Sequence, residues 1–429
     1  MADQELDFEI EKLGTCSIPS PMIGSEFIKE GDKVLYHSHP EDIAPFYEKG
    51  ESPPCMELAG PREKIYFDSS KVKAGIVTCG GLCPGLNDVI RAIVLSLHHH
   101  YGVSTVFGFR YGYEGLSSSH GHSPFELTPA MVDDIHQKGG TILGSSRGPQ
   151  DVSDMVDTLE RMNVSILFTI GGDGTLRGGQ AIAEEIEKRN LKIGVIGIPK
   201  TIDNDISYIQ QSFGFVTAVT EARTSIYSAH MEATGAMNGI GLVKLMGRES
   251  GFIAAFATLA NSEVNYCLIP EVPFSLERFL ETLKKRLEQR GHAVIVGGEG
   301  AGQDLMQLGG EQDASGNIRL GDIGLFLKDH INAYFKGMGM EANLKYIDPS
   351  YLIRSVPANA HDSAFCLLLG HNAVHAGMAG RTNMVVGFWR NEFTHLPISL
   401  AVSERKHIDP NGRLWSSVIE STGQPRDMQ

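Results

Sequence analysis

The run Lys200-Thr201-Ile202-Asp203-Asn204-Asp205 sets a cation, a hydroxyl and two carboxylates directly after the apolar stretch Ile196-Gly197-Ile198-Pro199. In an extended segment, alternation turns Thr201, Asp203 and Asp205 to one side. Two neighbouring carboxylates supply a proton acceptor for an alcohol and a charge that tunes it. An acidic turn capping the next helix would explain one aspartate, but not the lysine and threonine with it. A second block, Gly171-Gly172-Asp173-Gly174-Thr175, follows Phe168-Thr169-Ile170. Its glycines allow close approach to a polyphosphate, and the carboxylate of Asp173 suits Mg²⁺, a hard cation that takes oxygen ligands. Asp173 could act as a plain helix cap, although a cap does not call for three glycines in five positions. A third block, Cys79-Gly80-Gly81-Leu82-Cys83-Pro84-Gly85-Leu86-Asn87, stands between an apolar run and a helical pattern, where backbone N–H groups and a helix dipole favour an anion. It is neither GxxxxGK[ST] nor GxGxxG, and protein-kinase signatures are missing.

Three more blocks carry polar groups at strand ends: Lys244-Leu245-Met246-Gly247-Arg248, Gly297-Gly298-Glu299-Gly300 and the stretch from Lys345 through Tyr351 to Arg354. Cations there suit a sugar phosphate, with arginine able to fork onto its oxygens, and a carboxylate suits sugar hydroxyls. Singly, each would be an ordinary surface ion pair. Their recurrence is the argument.

The elements that must position these blocks follow from periodicity. Short runs rich in Val and Ile begin near residues 74, 105, 164, 193, 240, 266 and 292, and helical patterns such as 151–162 separate them. Continuous apolar strands alternating with helices predict parallel sheet buried on both faces, an α/β fold. Ligands in such folds gather beyond the carboxyl ends of the strands. The first 70 residues hold several prolines and little periodicity, and read as an extension that wraps or docks.

Composition removes other classes. With 37 Lys and Arg against 52 Asp and Glu, the net charge of −15 argues against a general nucleic-acid binder. The 49 glycines in 429 residues exceed the usual share of about 7%, without a collagen period. The acidic N-terminus lacks the basic start of a signal peptide, and the small-residue run 363–380 reads as a core helix or turn rather than a membrane span. Six scattered cysteines fit reduced thiols in a cytoplasmic protein. Cys79 and Cys83 read as small buried residues, and His98-His99-His100 as a solvated helix end. No zinc site is expected from either.

From about Ala74 to about Gly380 the blocks GIVTCGGLCPGLN, GGTILGSSRG, GGDGT, PKTIDND, VKLMGRESGFIA, GGEGAGQDLM and KYIDPSYLIR resemble the 6-phosphofructokinases. The N-terminal extension, with GGDGT and PKTIDND together, resembles the long ATP-using branch of plants and trypanosomatids. The resemblance implies two Rossmann-like three-layer αβα lobes with the active site between them. It divides the chain into residues 1–70 as extension, 71–212 plus about 352–385 as nucleotide lobe, and 213–351 plus 386–429 as sugar-phosphate lobe. It implies transfer of the ATP γ-phosphoryl group to the 1-hydroxyl of fructose 6-phosphate, with Mg²⁺. Gly81, Tyr113, Arg147, Gly148, Gly172, Asp173, Gly174 and Thr175 would hold ATP, and Asp173 the metal. Asp203 would take the proton, with Lys200, Thr201, Asp205 and Arg248 positioning the reacting groups. Thr201, Ile202, Asp203, Met246, Gly247, Arg248, Glu299, Lys345, Tyr351 and Arg354 would bind the sugar phosphate.

Gly174 sets donor choice, because pyrophosphate-using relatives generally carry Asp there and that side chain fills the place of a nucleotide α-phosphate. Lys200 is usual in pyrophosphate users and keeps a pyrophosphate-dependent phosphotransferase as the alternative; a catalytically dead regulatory subunit is a second. GGDGT is also shared with NAD kinases and lipid kinases, but PKTIDND and KYIDPSY favour the sugar-phosphate enzyme. The resemblance further implies an allosteric, glycolytic homodimer or homotetramer sharing substrate residues across an interface, with no membrane or nucleic-acid partner. Two departures stand out: Met237-Asn238-Gly239-Ile240 replaces a bacterial arginine, and Tyr351 replaces a bacterial histidine. Arg91 matches a bacterial effector position but Leu95 replaces a second arginine, so bacterial-style control by ADP or phosphoenolpyruvate is not carried over.

Overall fold

The computed structural model of the chain describes residues 6–306 and 318–428; the first five residues of the acidic N-terminus lie outside that range. Two compact units emerge. One comprises Met1–Thr201, Ile206–Gly214 and Val356–Glu404, the other Ile202–Asp205, Phe215–Ser355 and Arg405–Gln429.

The first unit is built on a nine-stranded sheet. Its centre is five parallel strands in the order Met384–Trp389, Gly194–Pro199, Ile166–Gly171, Lys73–Thr78 and Thr105–Gly108. Every residue of Ile166–Gly171 and Gly194–Pro199 is buried, as expected of strands covered on both faces. Helices Leu86–Tyr101 and Ala360–Met378 pack together on one face. The other carries Val152–Arg161 and Asp173–Lys188, which enclose Met155, Val156, Leu159, Ile182 and Ile186 with strand residues Leu167 and Val195. Asp151 caps Val152–Arg161 by accepting from the Asp154 N–H, so the helix begins where the apolar pattern says it must.

The edges of this sheet depart from the expected division. Lys33–Leu35 and Cys55–Leu58 add antiparallel strands beside Glu392–Pro397, which itself pairs antiparallel with Met384–Trp389. The segment 33–58 thus docks on the edge of this sheet, and 386–404 falls in the first unit, whereas the resemblance puts it in the sugar-phosphate lobe. A buried charge cluster pins this edge. The Arg381 guanidinium, fully buried, donates to Glu57 and Glu30 at 2.8 Å each, and Glu57 also meets Arg62 at 2.8 Å and His395 at 3.2 Å. Burial by itself would raise the Glu57 carboxyl, but the His395 and Arg381 contacts outweigh it and hold the group well below the usual carboxylate range.

The second unit carries a four-stranded, all-parallel sheet in the order Tyr266–Leu268, His292–Gly298, Gly239–Leu245 and Asn343–Ile347. Helices Phe215–Thr234 and Phe252–Leu259 lie on one face, Leu276–Arg290 and Ile323–Gly337 on the other. Leu276–Arg290 is capped by the Ser275 hydroxyl and stopped by Gly291 at φ 73°. Its Phe279, Leu280, Leu283 and Leu287 recur at helical spacing and enter a core with Leu242, Ile295, Leu327 and Phe335. Both units are thus three-layer α/β structures, the fold class expected. Among the described residues no helix is long and apolar enough to cross a membrane, and all six cysteines are free, with Cys79 and Cys83 buried.

Candidate active site

In the first unit four loops meet at the carboxyl ends of adjacent parallel strands. The Lys200 N–H donates to the Gly171 carbonyl at 2.9 Å, and the Gly80 N–H to the Ser146 carbonyl at 3.0 Å. The Lys200 ammonium donates to the Gly81 carbonyl at 2.5 Å, and the Ser145 hydroxyl to the Gly80 carbonyl at 2.6 Å. Gly80 sits at φ 83°, where a Cβ would come within 3.3 Å of the Lys200 ammonium. Glycine is required there for conformation and for close approach together. Helix Asp173–Lys188 starts one residue after its strand with Gly172 as N-cap, so no capping side chain occupies its N-terminus. Asp173 in the first turn is partly exposed and pairs with Arg177 at 3.2 Å. Gly174 is exposed, and a Cβ there would meet nothing within 4 Å. Arg147 is exposed and Gly148 lies at φ 101° on the neighbouring loop.

Tyr113 is buried, and its hydroxyl donates to the Thr175 carbonyl at 2.6 Å. It braces the first turn of the Asp173 helix from behind. Thr175 is buried as well.

The run after Lys200 is not extended. Residues 202–203 form a turn and Asn204 adopts φ 55°, so strand alternation does not set which side chains face together. Ile202 is buried and can offer a ligand only its backbone. The Thr201 carbonyl accepts from the Ser212 hydroxyl at 2.6 Å. Asp205 is only 7% exposed, and its Oδ2 accepts from Arg405 at 3.0 Å, while Arg405 also reaches Glu249 at 3.3 Å. Asp205 is therefore committed to an ion pair within its own unit. Asp203 remains partly exposed, with its carbonyl accepting from the Ser250 hydroxyl at 3.5 Å.

Further polar groups of the second unit collect at its sheet's carboxyl edge. Gly247, at φ 122°, takes a path a side chain would block, since its Cβ would lie 2.5 Å from the Ser250 carbonyl. Hydrogen bonds from the Glu299 N–H to the Leu245 carbonyl and from the Gly300 N–H to the Gly247 carbonyl lock the two loops together at 2.9 and 3.1 Å. Burial raises the Glu299 carboxyl, and the charges of Arg248, Lys244 and Arg354 oppose that rise. Arg248 donates to the Ile318 carbonyl and Met246 is partly buried. Arg354 stacks over Tyr351, a residue 75% exposed, at 4.8 Å. Lys345 is exposed on the edge strand, pointing away from Tyr346, whose hydroxyl donates to Asp322 at 3.1 Å.

Lys244, which opens the Lys244–Arg248 block, bridges Asp322 at 3.0 Å and Asp348 at 2.8 Å. Two further cations were not singled out by motif. Arg405 and Lys406 come from the C-terminal segment, some two hundred residues from the aspartate they serve, and no local pattern marks them. Burial pushes the Lys406 ammonium down to about 8, against the pull of Asp205, and the ammonium lies 5.1 Å from the Phe252 ring centre. Its folded value is below its unfolded 10.5. Between pH 8 and 10.5 the unfolded chain binds the extra proton, so stability from this group rises with pH there and is lowest below 8. The Lys406→Met variant loses that rise. Urea midpoints at pH 7.5 and 10 are expected to show a wild-type deficit of about 2–3 kcal/mol that closes at the higher pH. Parallel pH dependence of the two proteins would remove Lys406 as its source.

The phosphofructokinase family profile matches residues 73–377. The chain is 51% identical to the ATP-dependent 6-phosphofructokinase of Borreliella burgdorferi, covering 100% of this chain and 99% of the relative. It is 45% identical to the enzyme of that name from Trypanosoma brucei brucei, covering 97% and 87%. The chain belongs to the phosphofructokinase family. Among solved structures, the pyrophosphate-dependent phosphofructokinase of Marinobacter aquaeolei superposes with a TM-score of 0.69 at 18% identity, over 82% of this chain and 91% of that one. The Pichia pastoris phosphofructokinase does so at 0.63 and 21%, over 82% and 37%. These two likenesses concern the fold.

Proposed function

We propose that this phosphofructokinase transfers the γ-phosphoryl group of ATP to the 1-hydroxyl of D-fructose 6-phosphate, giving fructose 1,6-bisphosphate and ADP. The observation that carries the donor assignment is Gly174, exposed at the start of the Asp173 helix with open space where a side chain would project. Full-length identity of 45–51% to relatives named as ATP-dependent enzymes supports the same reading.

In this reading the glycine loops at 80–81, 147–148 and 172–175 receive the ATP phosphates, whose oxygens face backbone N–H groups and a helix N-terminus. The Asp173 carboxylate, exposed enough to add an oxygen ligand and not buried in a competing core contact, fits Mg²⁺. When bound, that ion supplies neutralisation of phosphate charge. Asp203 accepts the proton of the 1-hydroxyl as its oxygen forms a bond to the γ-phosphorus. The bond between that phosphorus and the β,γ-bridging oxygen breaks, and ADP leaves with the electron pair. Lys200 and Arg248 stabilise charge spreading over the transferred group, and Thr201 orients it. Asp205 acts one step back, holding the turn through Arg405. Glu299 accepts from sugar hydroxyls, while Arg354 and Lys345 meet the 6-phosphate, and Met246, Gly247 and Tyr351 line the sugar. Catalysis rests on alignment and charge rather than covalent chemistry.

Lys200 favours a second reading, pyrophosphate as donor, since its ammonium stands at the Gly81 loop. Steady-state assays with MgATP and with pyrophosphate separate the two. Turnover of fructose 6-phosphate with MgATP is expected; turnover with pyrophosphate and none with MgATP would reverse the assignment. The free cysteines support a reducing cytoplasmic setting. The family resemblance supports a homodimer or homotetramer under allosteric control.

A further inference from the structure

We propose that Glu114, His120 and His122 form a binding site for a divalent transition-metal ion of the Zn²⁺ class, separate from the Mg²⁺ reading of Asp173. Each residue offers one ligand atom, and these atoms lie within 4.8 Å of one another. A tetrahedral site with metal–nitrogen distances of about 2.0–2.1 Å places its donors roughly 3.3 Å apart. The three side chains are exposed or partly exposed, so small rotations about χ1 and χ2 close that difference. Two imidazoles and one carboxylate select Zn²⁺, Co²⁺, Ni²⁺ or Cu²⁺ over Mg²⁺ and Ca²⁺, which prefer all-oxygen sets.

The local backbone is organised for this. Gly121 adopts φ 66°, and the His120 and His122 rings on either side of it lie nearly parallel, 6.0 Å apart. The turn that carries His120 is clamped from below. Asp154 accepts from the Ser117 hydroxyl at 2.7 Å, the Ser118 N–H at 2.8 Å and the Ser118 hydroxyl at 2.6 Å. His120 Nε2 lies 3.0 Å from Gln150 Oε1. A carbonyl oxygen there accepts the Nε2 proton and leaves the Nδ1 lone pair for a metal, the outer contact that metal-binding histidines commonly make. His122 packs against Tyr111 with ring centres 4.9 Å apart. Glu114 sits on the short turn Gly112–Gly115, next to the braced Tyr113. The solvent side leaves room for water as the remaining ligand.

Co²⁺ titration of the metal-free, full-length protein, followed by visible absorption, tests the site. One Co²⁺ per chain is expected, with d–d bands of nitrogen and oxygen ligation that Zn²⁺ abolishes. His122→Gln and Glu114→Gln are each expected to weaken Co²⁺ binding at least about tenfold. His99→Gln, at the solvated helix end, is expected to leave it unchanged. Circular dichroism checks that each variant is folded, and the two site variants stand in for each other if one is not. Absence of stoichiometric binding in the wild type overturns the proposal. So does undiminished binding in both site variants, or loss in His99→Gln alone.

Discussion

Asp203→Asn is expected to lower kcat by about a hundredfold to ten-thousandfold while leaving fructose 6-phosphate affinity nearly unchanged. The substitution preserves shape and hydrogen-bonding capacity but removes the basic oxygen that accepts the hydroxyl proton. Since the proton moves as phosphorus is attacked, the loss belongs to the transition state, and kcat and kcat/KM should fall together. Asp203 is partly exposed, and the Ser250 contact is made to its backbone carbonyl, which asparagine keeps. Turnover of the variant, with calorimetric binding of the sugar phosphate, checks both halves. Unchanged turnover would remove Asp203 from proton transfer. Asp205→Asn should behave differently. With Asp205 buried against Arg405, a lost charge there acts first on stability and on the turn's geometry.

Gly174→Asp is expected to reduce kcat/KM for MgATP by about a thousandfold. A carboxylate about 4 Å from a phosphate oxygen, at an effective dielectric constant near 20, costs about 4 kcal/mol of repulsion, and each 1.4 kcal/mol is a factor of ten. The chain itself should accept the change without strain. A Cβ at Gly174 meets nothing within 4 Å, and an acidic residue in the first turn of a helix is mildly favourable. Thermal stability should therefore hold or rise slightly while ATP use collapses. That pairing distinguishes a donor-selecting position from a structural one. Pyrophosphate, which has no α-phosphate to be excluded, should be affected far less. Equal MgATP kinetics in the variant and the wild type would sink the role given to Gly174.

Much of the candidate site could be read without coordinates, because it is carried by contiguous residues. Strands buried on both faces must be unbroken apolar runs, so Ile166–Gly171 and Gly194–Pro199 announce themselves, and the glycine and acidic blocks after them lie at strand ends. The GGDGT and PKTIDND blocks and the α/β class were legible for that reason. The edge strands were not. Lys33–Leu35 and Cys55–Leu58 are short, only partly buried and lie among prolines; Cys55–Leu58 becomes a strand because Glu392–Pro397 offers it a partner, and Lys33–Leu35 then pairs with Cys55–Leu58.

What the sequence by itself determined is the inventory of reactive groups and the order of the elements that deliver them, since both follow from local composition and period. Tertiary structure alone decided how those groups are employed. Asn204 in the left-handed region breaks the alternation that would have aligned Thr201, Asp203 and Asp205. Arg405 claims Asp205 across two hundred residues, and Tyr113 spends its hydroxyl on Thr175. His120 and His122 come to face Glu114 through one glycine turn and an aspartate clamp. Each of these is a pairing between parts of the chain distant in sequence or a single dihedral choice. Neither leaves a periodic trace, so only the folded chain, where burial forces every polar group to find a partner, specifies them.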